Sequence, residues 1–285
     1  MNILDDLKMQ YKLGGIALKM IYWNIGCFLF SLVFYQFKVG IFDFPNWIAL
    51  SSEPAVFVLR PWTFLTYGFF HNDFWHLLFN MMVLNFASSL FLTFFSSKQY
   101  LGLYLLSIIF SGLIFALGFN LMHYSGNIVG ASAAIMAVLV AVTTYNPLMQ
   151  VRLLLIGNVK LWHVTAVILI LDVMQFRLGN SGGHISHLGG AFFGFAYIKL
   201  LQNGTDLSKI VSVVLDFFVN LFKKPATPFK KVHKNYKKPV EKQISKIMVK
   251  DKKQQQIDEI LDKISQSGYE SLSQEEKEFL FQAGK

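Results

Sequence analysis

Long apolar runs separated by short polar segments make up most of the first 201 residues of the chain. A helix that crosses a bilayer needs about 20 mostly apolar residues, with a range of roughly 17–25. Six runs meet or approach this length: residues 16–37, 74–95, 100–122, 128–145, 162–176 and 183–201. The fifth is short and contains Asp172. The pattern therefore predicts an all-α membrane protein built as a bundle of six transmembrane helices.

A different pattern fills the segment between the first two predicted spans. Residues 40–70 are rich in aromatic side chains and are interrupted by Pro45, Pro54 and Pro61. Proline removes a backbone donor and breaks helices, so this segment is not a span of its own. We expect a long loop that is partly embedded in the membrane.

Composition and charge agree with a membrane protein. Hydrophobic residues make up 54% of the chain and charged residues 15%, against about 25% charged residues in soluble domains. Of the 26 Lys and Arg residues, 17 lie at or after Lys199. Since Lys and Arg mark cytoplasmic loops, we expect both termini in the cytoplasm. With neither a cleavable signal nor an organelle-targeting sequence apparent, the expected location is a bacterial plasma membrane.

Polar residues lie at the heads of three of the predicted spans. Ser132 follows Gly130-Ala131 in the fourth, His187 opens the sixth, and His76 opens the second. These three spans run in the same direction through the membrane, so the three side chains are expected at similar depth. Because polar groups inside a bilayer are costly, this common level predicts a functional site.

A serine and a histidine at one level are suited to acyl transfer. Serine is a weak nucleophile until a base takes its proton, and histidine is the usual base. Gly190 and Gly194 form a small-xxx-small pattern that lets membrane helices approach closely, as a Ser132–His187 bond requires. Asp172 is a candidate partner for His187, and a Ser–His dyad held by packing is equally consistent with the sequence.

Acyl transfer also needs hydrogen-bond donors for the oxyanion of the tetrahedral intermediate. His76 and Asn80 are four residues apart and share a helix face. With the Ser132 backbone N–H they are the predicted donors. Zinc is the competing use of the histidines, but the chain has no His-Glu-x-x-His motif. The histidines considered as zinc ligands are His71, His76, His184 and His187. No acidic residue lies next to any of them in the sequence, and we predict no metal site.

At these residues the sequence resembles the rhomboid intramembrane serine proteases. The second span carries His71, His76 and Asn80 in the family's His-x-x-x-x-His-x-x-x-Asn pattern, and the sixth carries His187-Leu188-Gly189-Gly190. The resemblance covers about residues 10–205. It implies a six-span rhomboid-like bundle, of bacterial type, that cleaves transmembrane protein substrates without a cofactor. Ser132 would be the nucleophile and His187 the base, His76 and Asn80 would line the oxyanion hole, His71 would help to hold the outer loop, and Gly190 would permit tight packing.

Three positions depart from the family pattern. Ala133 follows the serine where glycine is usual, Met136 replaces a tyrosine that stacks on the histidine, and Thr63 follows Trp62 where arginine is usual. None of them removes a catalytic group. The alternative function is a proteolytically inactive rhomboid-like protein that binds membrane clients. A channel or transporter would need inverted repeats and ionisable residues strung across the bilayer, whereas the predicted spans contain a single acidic residue, Asp172.

The tail after the membrane region divides into two parts. Residues 206–253 are predicted to form an interfacial helix and a lysine-rich linker that contacts anionic lipid rather than nucleic acid. Residues 254–285 are predicted to form a small cytoplasmic helical module, with one amphipathic helix over 256–265, a break at Gly268, and a capping box from Ser273 to Glu276. The predicted domains are therefore 1–205, 206–253 and 254–285.

Overall fold

The protein is described by a computed structural model that covers residues 2–36, 47–153, 156–176, 181–222 and 241–283. The chain divides into two compact units, Met1–Lys223 and Lys224–Lys285. In the first unit the helices are α1 Ile3–Leu13, α2 Ile16–Gln36, α3 Pro54–Phe57, α4 Thr63–Thr66, α5 Phe74–Phe94, α6 Ser97–Leu121, α7 Ser132–Tyr145, α8 Leu161–Gln175, α9 Ser181–Gln202 and α10 Ser208–Phe222. Two short antiparallel pairs join them: β1 Leu50–Ser51 with β2 Asn127–Ile128, and β3 Gln150–Leu153 with β4 Gly157–Lys160.

The observed helices agree with the apolar pattern. Each of the six predicted runs contains one long helix, and the chain is an all-α, multi-pass membrane protein. By length and composition, three segments among the described residues are able to cross a membrane, namely Ile16–Val33, Phe74–Phe94 and Ser97–Leu121. The helices Ser132–Tyr145 and Leu161–Gln175 are apolar but shorter. The count of six spans therefore stays a prediction.

Helix α7 begins later than its apolar run predicts. The run starts at Ile128, but Ile128 pairs with Leu50 in the β1–β2 ladder. Gly130 then takes a φ of +136°, which a residue with a side chain adopts only under strain. The strand and the glycine delay the helix until Ser132, which becomes its first residue.

The segment before α5 is tied to the segment before α7. The backbone N–H of Gly130 donates to the carbonyl oxygen of Tyr67 at 2.9 Å. Tyr67 is fully buried, and its hydroxyl donates to the carbonyl oxygen of Ile108 in α6 at 2.7 Å. Part of the predicted loop between the first two spans, residues 37–46, lies outside the described residues. The described part packs against the bundle through these bonds.

Helix α7 lies at the centre of the bundle. Ala134, Ala137, Val138, Ala141 and Val142 are each fully buried. Helices α5, α6 and α9 surround it, and α9 makes the closest approach. A Cβ added at Gly190 would overlap the carbonyl group of Ala133, and one added at Gly194 would overlap that of Ala137. The two helix backbones meet at these glycines, because only hydrogen fits there.

The second unit is a pair of helices, α11 Glu241–Ser267 and α12 Gln274–Ala283. Helix α11 begins well before the predicted residue 256, since the lysine-rich segment 241–255 contains good helix formers and no proline. It ends at Gly268, whose φ is +79°. The predicted capping box is confirmed, because the Ser273 N–H donates to Glu276 Oε2 at 2.7 Å and the Glu276 N–H donates to Ser273 Oγ at 3.3 Å.

Candidate active site

Ser132 occupies the first position of helix α7. The first N–H groups of a helix have no partner within it and give that end a partial positive charge. Ala131, the residue before it, offers no side-chain cap. Ser132 is half-buried, whereas Ala131 and Ala133 on either side are buried. The hydroxyl therefore lies beside an electropositive helix end within an apolar frame.

His187 reaches Ser132 from helix α9. Its Nε2 and the Ser132 Oγ are 2.6 Å apart, although 55 residues separate the two in sequence. The close approach of α7 and α9 at Gly190, one turn further along α9, brings the imidazole within this distance. Ser132 and His187 are thus paired in the fold.

Asp172 completes a chain of three residues. Its Oδ1 lies 2.6 Å from His187 Nδ1. An imidazole that donates Nδ1–H to this carboxylate keeps the lone pair of Nε2 free, so that Nε2 accepts the hydroxyl proton of Ser132. Asp172 is 7% exposed and lies in the apolar helix α8. Of the two arrangements that the sequence left open, the structure has the one with an acidic partner.

His184 is a second histidine on the same carboxylate. Its Nδ1 lies 2.7 Å from Asp172 Oδ1, and His184 is 8% exposed. It precedes His187 by three residues, which places both rings on one face of α9. Asp172 Oδ2 is buried without a hydrogen-bond partner among the described residues.

His76 lies on the other side of Ser132. The side chain of Asp73 caps helix α5 by accepting the His76 backbone N–H at 2.9 Å, which fixes His76 in the first turn. A Cβ added at Gly130 would lie 2.9 Å from Cε1 and Nε2 of His76 and 3.5 Å from Ser132 Oγ. The missing side chain of Gly130 therefore leaves the space in which the His76 ring approaches Ser132.

The remaining candidate residues surround this group. His71 is buried, and its ring packs edge-on against the His76 ring at a centroid distance of 5.0 Å. Burial, reinforced by His76, lowers the pKa of His71 to about 3, so the ring is neutral at physiological pH. Asn80 is buried one turn after His76, and its Nδ2 makes no hydrogen bond within the described part of the chain.

The four histidines that were considered as zinc ligands form two separate pairs in the structure. His71 and His76 form one pair beside Gly130, and His184 and His187 form another on Asp172. His184 was not expected at the active site. The signal that could have revealed it is its i, i+3 spacing from His187, together with the need of a buried Asp172 for more than one donor.

One known protein family matches the region that contains all of the candidate site residues. The Rhomboid domain family matches residues 59–203, which is about half of the chain and includes every candidate site residue. A family of unknown function, DUF6576, matches residues 248–283 in the C-terminal unit.

The similar curated proteins share a name. Presenilin-associated rhomboid-like protein, mitochondrial, of Homo sapiens is 31% identical over 152 residues, which is 52% of this chain and 40% of that protein, and the Pongo abelii protein gives the same values. Presenilin-associated rhomboid-like protein A, mitochondrial, of Danio rerio is 32% identical over 134 residues, 46% of this chain and 35% of that protein. The chain therefore matches less than half the length of these relatives.

These findings correct the function that the sequence predicted. That function was cleavage of transmembrane substrates by a Ser132–His187 dyad with an oxyanion hole of His76, Asn80 and the Ser132 backbone, or, as the alternative, an inactive client-binding protein. The comparisons give a match to the Rhomboid domain family and a likeness to presenilin-associated rhomboid-like proteins, and the names of these relatives state neither a dyad nor its oxyanion donors. In the structure His187 is bonded to Asp172. The prediction in that form is wrong.

The predicted location is also affected. The relatives are named as mitochondrial proteins, so the comparisons give no support to a bacterial plasma membrane. What stands is a multi-pass membrane protein with a rhomboid domain in contact with the lipid bilayer.

Proposed function

We propose that this chain, which belongs to the rhomboid family, is a serine-type endopeptidase that works within the membrane through Asp172, His187 and Ser132. The observation that carries the proposal is the unbroken series of hydrogen-bond distances between these side chains, 2.6 Å on each side of the His187 ring. Aligned nucleophile, base and orienting acid are the geometric signature of acyl transfer by serine. Polar side chains inside an apolar bundle cost free energy, so their presence there favours a functional role.

The geometry supports a two-step reaction. Ser132 Oγ attacks the carbonyl carbon of the scissile peptide bond while its proton passes to His187 Nε2, and the protonated ring then gives that proton to the leaving amine. A water molecule, deprotonated by the same nitrogen, hydrolyses the acyl-enzyme. Asp172 holds the ring in the Nδ1–H tautomer and stabilises the imidazolium that forms in each step.

His184 acts through Asp172 in this scheme. A buried carboxylate needs several donors to stay ionised, and His184 supplies the second, at 2.7 Å. We therefore assign His184 a positioning role, in which it holds Asp172 in line with His187.

The oxyanion that develops on the substrate would lie beside the N-terminus of α7 and the His76 ring. The helix end favours negative charge, and His76 approaches Ser132 across Gly130. Asn80 has a buried amide without a partner among the described residues and shares a helix face with His76, so we propose it as a further polar group there. We propose that His71 supports the His76 ring and that Gly190 permits the approach of α9.

Transmembrane protein segments are the proposed substrates. Helix α5 exposes large apolar side chains along one side, which suits contact with lipid or with an apolar substrate: Phe74, Trp75, Phe79 and Met82. We further propose that both termini face the cytoplasmic side of the membrane, because this is the side on which positive charge such as that of Lys8, Lys12, Lys98 and the basic tail is favoured. By its charge the lysine-rich segment 223–253 would contact anionic lipid there. Residues 223–240 of this segment lie outside the described residues.

The test is cleavage of a model transmembrane substrate in liposomes, with labelling by a fluorophosphonate probe as a second readout. Wild type should cleave the substrate and react with the probe. Ser132→Ala should lose labelling and lower the rate by about 10⁶-fold, because the nucleophile is gone. The matched control is Ser107→Ala, since Ser107 is a fully buried serine whose hydroxyl bonds its own helix, to Tyr104 O at 2.9 Å.

Two outcomes would contradict the proposal. Equal cleavage by wild type and Ser132→Ala would place the activity elsewhere. Suppose that wild type neither cleaves the substrate nor reacts with the probe, although thermal unfolding shows that it is folded. The aligned residues would then not form a working nucleophile.

A further inference from the structure

Two histidines and one aspartate lie close enough to share a single ion. A ring nitrogen of His184, a ring nitrogen of His187 and a carboxylate oxygen of Asp172 all lie within 4.8 Å of one another. Each histidine already contacts the same oxygen, at 2.7 and 2.6 Å. In the proposed mechanism His184 is a second donor to Asp172, and the same arrangement places a second imidazole nitrogen where it can act as a metal ligand.

The donor set suits zinc better than the harder cations. Zn²⁺ takes imidazole nitrogen and carboxylate oxygen at about 2.0–2.2 Å, often three protein ligands with one open position. Tetrahedral geometry at that distance separates neighbouring ligand atoms by about 3.3 Å, so the three atoms need to move by only a fraction of an ångström to about 1.5 Å. Ca²⁺ and Mg²⁺ prefer six or more oxygens, which this cluster does not offer.

A second observation points to a ligand at this place. Asp172 Oδ2 is buried and has no hydrogen-bond partner among the described residues. A buried carboxylate oxygen without a donor costs free energy, and a cation relieves that cost. Asp172 and His184 are both less than a tenth exposed, so water competes little with these two ligands for a cation.

We propose that Asp172, His184 and His187 form a zinc site that inhibits the enzyme reversibly, an inference that rests on the proposed function. A zinc ion bound at His187 Nδ1 takes the lone pair of that nitrogen, so the ring proton moves from Nδ1 to Nε2. Nε2–H then faces Ser132 Oγ and cannot accept its proton. His184 Nδ1 gives up its proton in the same way, and its ring takes up a proton at Nε2. Only protons move, no electron is transferred, and removal of the ion restores the catalytic tautomer. Zinc binding and hydrolysis therefore exclude each other.

Metal binding is tested first, without reference to activity. Co²⁺, a spectroscopic substitute for Zn²⁺, is titrated into the purified full-length protein in detergent, using the Ser132→Ala variant beside wild type. Both should develop the visible absorption of tetrahedral cobalt, and one equivalent of Zn²⁺ should remove it. His184→Asn should weaken binding by at least about tenfold, because one of three ligands is lost while an amide donor to Asp172 is kept.

The matched control is His163→Asn, since His163 is an exposed histidine on helix α8. It should bind cobalt as wild type does. Absence of the absorption in wild type, or equal weakening by His163→Asn and His184→Asn, would overturn the site. Thermal unfolding of each variant shows whether a lost signal reflects a lost ligand or a lost fold.

Inhibition is tested second, in the cleavage assay. Zn²⁺ should inhibit wild type and a chelator should restore its rate. For His184→Asn the zinc concentration that halves the variant's own rate should rise by at least about tenfold. Cobalt binding with zinc-insensitive cleavage would refute the inhibitory role. A protein that binds cobalt and never cleaves refutes the proposed function and leaves the metal site standing.

Discussion

Two clusters of acidic and basic groups, one in each unit, show how strongly burial changes the role of the same chemistry. In the membrane unit Asp172 lies 2.6–2.7 Å from two imidazoles, and these side chains are 8–18% exposed. In the C-terminal unit Lys263 Nζ donates to both oxygens of Glu276 at 2.9 and 3.0 Å, with 47% and 28% of the two side chains exposed. The distances are similar, but the surroundings are not.

Water makes the difference between the two clusters. When the exposed pair separates, both groups are solvated again, so such pairs contribute little to stability. A carboxylate in an apolar helix has no such alternative, and loss of a partner leaves an uncompensated group. The buried cluster can therefore fix the tautomer of one ring, whereas the exposed pair only helps to hold two helices together.

Among the variants considered, Asp172→Asn is expected to have the largest effect, because it removes the charge of the buried cluster. The amide keeps the shape but removes the charge and can drive His187 into the wrong tautomer, so we expect cleavage to fall by about 10³–10⁴-fold. Asp216→Asn, at an exposed aspartate of helix α10, is the control and should retain the rate. Cleavage assays in liposomes measure both. A fall of less than tenfold for Asp172→Asn would mean that packing alone orients His187.

The second test fills the space that the missing side chain of Gly130 leaves beside His76. Gly130→Ala places a methyl group against the His76 ring and adds strain at a φ of +136°. A displacement of about 1 Å near the reacting atoms can cost about 10²-fold in rate, which is the loss we expect. Gly268→Ala in the C-terminal unit also has positive φ, at +79°, but meets no atom within 4 Å. It should leave cleavage unchanged, and equal losses would attribute the effect to backbone strain alone.

Helix contact is tested by a pair of helical glycines. Gly194→Ala should destabilise the membrane unit by about 1–3 kcal/mol, because its methyl group overlaps the Ala137 carbonyl. Gly26→Ala in α2 meets nothing within 4 Å and should be neutral or slightly stabilising. Thermal unfolding in detergent compares the two. Similar midpoints for both variants would show that α7 and α9 can separate without cost.

The smallest effect is expected in the exposed cluster. The hydrogen bond from Lys263 and the capping bond from the Ser273 N–H lower the pKa of Glu276 below its ordinary value of 4.5. A carboxyl with a lowered folded pKa stabilises the fold above its unfolded pKa, and this contribution is lost as the pH falls through the folded pKa. After correction for the intrinsic exchange rate, which itself falls with pH, hydrogen exchange of peptides from 254–283 should therefore quicken slightly below pH 4.5 in wild type.

Glu276→Gln should show that slightly faster exchange already at pH 7. Glu275→Gln, next to it at the start of α12, should exchange as wild type does at pH 7. If Glu276→Gln perturbed this unit as strongly as Asp172→Asn perturbs cleavage, the distinction between exposed and buried clusters would fail.

Local features of the chain were predictable from sequence because they depend on neighbouring residues. Apolar runs of sufficient length form helices in a membrane, where every backbone group must be satisfied within the segment. The capping box follows from Ser273 and Glu276, three residues apart, and the helix break follows from Gly268 itself, which adopts a φ of +79°. The positions of Ser132 and His76 near helix starts follow from the same runs, whereas His187 lies about two turns into α9, which begins at Ser181.

Tertiary structure decided which of these polar residues meet. Asp172 lies 15 residues from His187 and 40 from Ser132, and no periodicity within one helix links them. Their contact depends on the crossing of α7 and α9 at Gly190 and Gly194, where backbones touch, and on the placement of α8 beside α9. The sequence by itself determined the helices and the chemistry available on them. The packing of those helices placed Asp172 beside His187 and brought His184 to the same carboxylate, because side-chain contacts at 2.6 Å depend on how whole helices cross.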